Sequence, residues 1–547
     1  MQTPEWDNSP QYTRMPDTGM RMDAPMIQTV QSVSRRTKIV ATLGPASDSD
    51  LVLEQLVKAG VDVARLNLAY GPPEEHRRRV ERIRALAARH KRAVAVLTDL
   101  QGSKIRVGYF REESVVLESG AQFILDADRD MSTGDQQGVG INSKTLPRDC
   151  APGDLLLVDD GSISLSVTGV ESTRVTCRVV NGGRLVGNKR INRQGGGLSA
   201  TPLGERDREN IDLAVELKTD WLAVPCSVGS TVIKRIREQV RAAGGKAMIL
   251  VRIERAEVAR NEALLDEILQ ACDAVMVVRG ELGIELGDAP LVGIQKRIIA
   301  RARSLNRPVI TATQMMESMT TNSLPTRAEV FDVANAVLDG TDAVLLAGET
   351  AVGKHPARVV SAAARICCGS EKYLTQSLLF EPVSSHVKAT DALIALTTMY
   401  TASLCKQITA IICLTESGNT ALCMSRMNAS LPIFALTRSE ETCRKIALYR
   451  GVTGLLFDPT RIQQTRGDSA VDREAMAHLR EAGWIREGDP VLLTKGDTMA
   501  VIGQTNTMAV LTVPSPDQDD GDQAGLADQA DQAEWTSGSG EVRAGGE

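Results

Sequence analysis

Aromatic residues are scarce: six Phe, six Tyr and four Trp in 547 residues. So few rings leave little for stacking on nucleic-acid bases. A net charge of −6 argues the same way, since a nucleic-acid backbone attracts basic proteins. The ten cysteines form no CxxC pair and no Cys/His cluster, and most, such as Cys272, Cys413 and Cys423, sit inside apolar runs. They read as small buried hydrophobes in a reducing, cytoplasmic setting. No apolar run reaches the ~18 residues of a membrane span, and the start of the chain has no secretory h-region. A GxxxxGK[ST] phosphate loop is also missing, which excludes a Walker-type nucleotide site.

Against these absences stands a strong alternation of elements. Short Val/Ile/Leu-rich runs recur at 37–43, 63–68, 93–100, 221–225, 247–253, 274–280, 308–314 and 343–348. Most are followed by helix-period segments such as PPEEHRRRVERIRALAARH. Near-continuous apolar strands with helical crossovers predict a parallel sheet covered on both faces, and eight of them predict a (β/α)8 TIM barrel. The third unit is interrupted by short alternating segments broken by Gly, Asp and Pro, which predicts an inserted small β-barrel domain over 102–189. The barrel then spans 36–101 and 190–374. AIICLTE, PIFALT, VTGLLFD and PVLLTKGD predict a C-terminal doubly wound α/β domain over 375–513. Residues 1–35 are polar and Pro-containing, and 514–547 hold nine acids against Arg543 alone, a net −8. Both are expected to be disordered.

In such barrels the chemistry sits at the C-terminal ends of the strands. Those ends present Arg65 and Asn67, Asp99, Arg252 and Glu254, Arg279 and Glu281, Thr313 and Gln314, and Glu349. Each has a plain structural account when taken singly, but charges from several strands on one face point to a site. Glu254 and Glu281 are hard oxygen donors on adjacent strands, suited to one Mg²⁺ or Mn²⁺. Arg65 and Arg252 could clamp a phosphate or carboxylate. Metal and cations around phosphate mean phosphoryl transfer or enolate stabilisation. In the last domain TESGNTA, 415–421, follows a strand and opens a helix, a candidate phosphate nest whose alternative is an ordinary helix cap.

TKIVATLGPAS, ARLNLAYG, DLQGSKIRVG, INRQGGGLSA, RIERAE, VVRGELGIELG and the long run ITATQMMESMTTNSLPTRAEVFDVANAVLDGTDAVLLAGET resemble pyruvate kinase, closest to the bacterial type II form, from about Arg36 to Val513. The resemblance implies transfer of phosphate from phosphoenolpyruvate to ADP as the last step of glycolysis. It implies that Arg65, Gly280, Glu281 and Thr313 contact phosphoenolpyruvate, with Glu254 and Glu281 on Mg²⁺. Asn67, Arg106 and Lys189 would face the nucleotide, and Arg252 would stabilise the transferring phosphoryl group and the enolate. The inserted domain would be a lid. Thr415, Ser417, Gly418 and Thr420 would hold the phosphate of an effector, a sugar phosphate or AMP. A homotetramer is expected too.

The chain departs from the family around one strand. The family has lysine at Arg252, aspartate at Glu281 and glycine at Arg190, while Pro225 and Cys226 replace a polar and an aromatic neighbour. Many relatives bind K⁺ near Asn67 and Asp99 with a serine at 69 and glutamate at 104; here stand Ala69 and Lys104. An ammonium can supply that monovalent charge, so K⁺ is expected not to be required. Two readings stay open from sequence: a kinase with an adapted metal site and reduced activity, or an impaired homologue that binds metabolites without turnover. A third, a Mg²⁺-dependent lyase acting on an enolate, stands behind them.

Overall fold

The computed structural model describes residues 35–515, except 103, 200–202, 227–228, 374–388, 428–430, 461, 463–467 and 498–501. The expected N-terminal extension and acidic tail therefore lie, but for residues 35, 514 and 515, outside the described residues.

All eight apolar runs form strands of one closed parallel barrel: Lys38–Thr42, Val63–Asn67, Ala95–Asp99, Trp221–Pro225, Met248–Ile253, Ala274–Val278, Val309–Ala312 and Ala343–Leu346. The first strand closes the ring by pairing Val40 with Leu345 and Val40 with Val63. Both faces of each strand are buried because alternate residues serve two cores. Val40, Leu97, Leu250, Met276 and Ile310 fill the barrel, while Ile39, Val96, Val251 and Val277 pack outward under the helices. That double burial is why the runs show no polar alternation.

The helices start where local chemistry supplies a cap. Pro73 opens Pro73–Arg89, and Thr326 caps Arg327–Leu338, where Glu329 N–H donates to the Thr326 hydroxyl and Thr326 N–H to the Glu329 carboxylate. Glu329 also accepts from Ser318 N at 2.7 Å, which ties this helix to the loop after the seventh strand.

Between the third and fourth barrel strands lies a separate β unit with its own core of Phe123, Leu125, Leu156, Leu165 and Val175. Its six-stranded sheet runs Ile191–Arg193, Leu155–Val158, Ile163–Glu171, Arg174–Asn181, Gln122–Asp126 and Gly138–Gly140; Ser114–Leu117 pairs with Gly183–Val186 alongside. The sheet thus runs a few residues past 189, because Ile191–Arg193 pairs with Leu155–Val158. Three residues reading INR carry no alternation that could have marked them.

The last domain is a five-stranded sheet in the order Val452–Leu456, Ile433–Thr437, Ala410–Leu414, Pro490–Lys495, Thr507–Thr512, parallel except for its final edge strand. It closes the N-terminal end of the barrel. Trp221, fully buried, donates from Nε1 to Lys445 O at 3.3 Å, and Lys38 donates from Nζ to Val452 O at 2.6 Å. Arg444 pairs with Asp220 at 3.0 Å and Arg426 with Asp342. The opposite end, where the strands finish, stays open to the inserted domain.

Candidate active site

The strand ends converge on one charge network. Asp99 closes the third strand and is 1% exposed. Its Oδ2 accepts from Arg65 Nε and Nη2 at 2.9 and 2.7 Å, and its Oδ1 from Arg252 Nη1 at 2.8 Å. Arg65 leans through Nη1 on Thr42 Oγ1 at 3.0 Å. Arg252 also donates to Leu100 O and Gln101 O, at 2.9 and 3.1 Å, and reaches Glu254 at 3.4 Å. Its Nε is buried and has no hydrogen-bond partner among the described residues. Burial works against the Arg252 charge, but Asp99, Glu254 and Glu281 outweigh it and raise the group above its ordinary value. Arg252 is therefore a fixed cation that no neutral-pH event discharges.

Glu254 and Glu281 face one another across Lys104. Its Nζ lies 3.2 Å from Glu254 Oε2 and 3.5 Å from Glu281 Oε1. Arg190 Nη1 donates to the same Glu281 oxygen at 2.8 Å. Burial would raise the Glu281 carboxyl, yet Lys104, Arg190 and Arg252 together hold it well below the usual carboxylate range. The pair is a donor set for a cation: two hard carboxylates already converge on one positive atom. Among the described residues no group of three or more His, Cys, Asp or Glu side chains is placed to hold a metal ion. A divalent cation held by these two carboxylates would take its remaining ligands from water or substrate oxygens.

Beside the carboxylates, Gly280 N donates to Thr313 Oγ1 at 2.7 Å. Thr313 and Gln314 both have positive φ, +69° and +53°, a conformation that side chains with a branched Cβ resist. Arg279 fixes this turn by donating to Thr313 O at 2.6 Å and pairing with Asp332. Glu349 is buried on the eighth strand's loop; burial pushes its carboxyl up, against the N–H groups of Ala347 and Met316 that it accepts from.

The sequence-derived set divides here. Arg65, Asp99, Lys104, Arg252, Glu254 and Glu281 form one connected cluster, with Gly280 and Thr313 joined to each other on the adjoining strand ends. Arg106 and Lys189 are engaged elsewhere: Arg106 donates to Asn188 O at 2.7 Å and Lys189 pairs with Asp159 at 2.8 Å, both in the inserted domain. Asn67 accepts from Ala69 N at 3.2 Å. Arg190 had shown in the sequence only as a departure from the family; its carboxylate partner lies 91 residues away. In the C-terminal domain Thr415, Ser417 and Thr420 line a small open pocket, together with Asp391 and Glu416, while Gly418 is not among its lining residues. Gly418 instead makes the left-handed turn, φ +82°, that starts the seven-residue helix Asn419–Ser425.

Known proteins share this architecture. The family described as pyruvate kinase, barrel domain, matches residues 34–360, and that described as pyruvate kinase, alpha/beta domain, matches 392–511. The chain is 48% identical to "Pyruvate kinase II" of Salmonella typhimurium over 88% of itself and 99% of that protein. It is 45% identical to the pyruvate kinase of Haemophilus influenzae, again over 88% and 99%. A crystal structure of a pyruvate kinase from Cryptosporidium parvum superposes with a TM-score of 0.81 at 30% identity, covering 88% of this chain and 97% of that one. With the cluster at the strand ends, the inserted β unit and the closing α/β domain all in place, the chain belongs to the pyruvate kinase family.

Proposed function

We infer that the chain transfers the phosphoryl group of phosphoenolpyruvate to ADP and yields pyruvate and ATP. One observation carries this: cations and carboxylates from four barrel strands meet in a single network, in a chain 48% identical to a named pyruvate kinase across nearly all of it. Arg65 and the Gly280–Thr313 turn hold the substrate's anionic groups. Arg252 keeps positive charge beside the phosphoryl group in flight and the enolate left behind. Because its proton is held so firmly, Arg252 stabilises charge and another donor protonates the enolate carbon. Glu254 and Glu281 would hold Mg²⁺ or Mn²⁺, which supplies Lewis-acid charge to phosphoryl oxygens. Asn67, Arg106 and Lys189 are assigned to the nucleotide; for Arg106 and Lys189 this requires release from Asn188 and Asp159. Lys104, in place of the family's glutamate, is assigned the role of the monovalent cation in turnover without K⁺, which requires its release from Glu254 and Glu281. The pocket of Thr415, Ser417 and Thr420, beside Gly418, is assigned to a sugar phosphate or AMP, and the assembly to a homotetramer.

A coupled assay of pyruvate formation, with Mg²⁺ or Mn²⁺ and with tetramethylammonium in place of K⁺, tests the reading. Turnover is expected without K⁺, and Arg252→Ala should lower kcat by ~10²–10³, the usual loss for one preorganised electrostatic group. No pyruvate with either metal, despite bound phosphoenolpyruvate, would make the protein a binding-only relative.

A further inference from the structure

We propose that Arg190 is a tethered counter-ion that competes with the divalent metal for Glu281, so that metal and anionic substrate load together. The inference rests on Glu254 and Glu281 being the metal-holding pair. It begins with where the inserted domain joins the barrel. Lys104 leaves the barrel on the outgoing crossing and Arg190 returns on the incoming one, and the two crossings are bridged antiparallel through Arg106 and Arg190. Each crossing places a cation on the carboxylate pair, and both reach one atom, Glu281 Oε1, at 3.5 and 2.8 Å. A metal taking that oxygen must displace at least one of them.

The charge count leaves one cation in surplus, and we assign it to Arg190, which is nearer to Glu281 Oε1 than Lys104 is, 2.8 against 3.5 Å. Arg65, Lys104, Arg190 and Arg252 give four positive charges against three on Asp99, Glu254 and Glu281. Without Arg190 the network is balanced; with it, a divalent cation enters a cluster that is already positive. Such like charges repel strongly where the surroundings are partly buried, and Glu281 and Lys104 are only 19% and 15% exposed. A multiply charged phosphate ester relieves the excess. It also offers a guanidinium a bidentate partner, so Arg190 can leave Glu281 without losing its hydrogen bonds. Metal then binds weakly alone and more tightly with phosphoenolpyruvate. Since Arg190 belongs to the chain returning from the inserted domain, its exchange between Glu281 and substrate also couples loading to that domain's position.

The test uses Mn²⁺ as the probe, with free Mn²⁺ followed by electron paramagnetic resonance on the purified full chain. Nucleotide is left out, so nothing turns over. The unmodified protein should hold Mn²⁺ weakly, and phosphoenolpyruvate should tighten it. Arg190→Met, which keeps the aliphatic stem, should bind Mn²⁺ at least about tenfold tighter without phosphoenolpyruvate, and the tightening by phosphoenolpyruvate should shrink. Arg190→Lys, which keeps the charge, should leave Mn²⁺ weakly bound without phosphoenolpyruvate. If Arg190→Met lowers the melting temperature, Arg190→Gln serves for the same comparison. Equal Mn²⁺ affinity in the charge-removed and unmodified proteins overturns the competition. Mn²⁺ bound by none of them, even with phosphoenolpyruvate, or bound undiminished by Glu254→Gln, overturns the metal assignment itself.

Discussion

Thr313 separates two things a single side chain does here: its hydroxyl accepts the Gly280 N–H, and its backbone sits at φ +69°. Strain of this kind costs ~1–3 kcal/mol, and alanine would keep it while losing the hydroxyl. Glycine loses the hydroxyl and releases the strain, which offsets its greater freedom in the unfolded chain. Thr313→Gly should therefore melt no lower than Thr313→Ala, while both lower kcat/KM for phosphoenolpyruvate by roughly tenfold or more, as loss of a substrate contact implies. A Thr313→Gly protein with unchanged kcat/KM would remove Thr313 from the site. The strand-end charges at Arg65, Asp99, Arg252, Glu254 and Glu281 were legible in sequence because barrel periodicity alone puts them on one face. The strain at Thr313 and the Arg190–Glu281 contact were not. A backbone angle has no composition signal, and partners 91 residues apart share no local pattern.

Among elements, the turn that leaves the third barrel strand is tightly specified. Gly102 has φ +69°, and a Cβ there would lie 2.8 Å from Pro225 Cγ and 3.1 Å from Pro225 Cβ. Its N–H also donates to Asp207 Oδ1 at 3.2 Å, which fixes the first step of the chain into the inserted domain. A proline ring cannot rotate away, so Gly102→Ala should destabilise by ~1–3 kcal/mol in urea unfolding. Adding Pro225→Ala should recover the part due to the clash and leave the part due to φ. No coupling between the two changes would show that the turn relaxes independently of the fourth strand. Pro225, noted in sequence as a departure from the family, thus bears directly on how the inserted domain is attached. The eight strands were readable throughout. The end of the insertion was not, since Ile191–Arg193 is too short to show a period.

At the scale of the whole molecule, the C-terminal domain meets the barrel where the strands begin, and the charged cluster gathers where they end. Lys38, buried at the first strand, hydrogen-bonds across the junction to Val452 O. Burial pushes its ammonium down from 10.5 to about 8, an effect that nearby Asp62 only partly opposes. The unfolded chain therefore binds this proton between about pH 8 and 10.5 and the folded chain does not. Stability from this group consequently rises with pH across that window, and below about 8 the penalty is fully present. Relative to Lys38→Met, the unfolding free energy of the unmodified protein should climb by up to ~3 kcal/mol from pH 8 to 10.5. A flat difference would mean that the folded lysine holds its proton as firmly as the unfolded one does, as a freely hydrated ammonium at the junction would.

The ring of strands also sets a timetable for the nascent chain. Val40 pairs with Leu345 as well as with Val63, so one edge of the first strand has no partner until roughly three hundred further residues have left the ribosome. Contacts of such long sequence separation form slowly, and an unpaired apolar edge invites association with other chains. During synthesis the compact inserted sheet, whose contacts lie close in sequence, can fold first while the barrel waits for its last strand. Chaperone dependence in the cell would then track the wait for Ala343–Leu346 rather than the size of the protein.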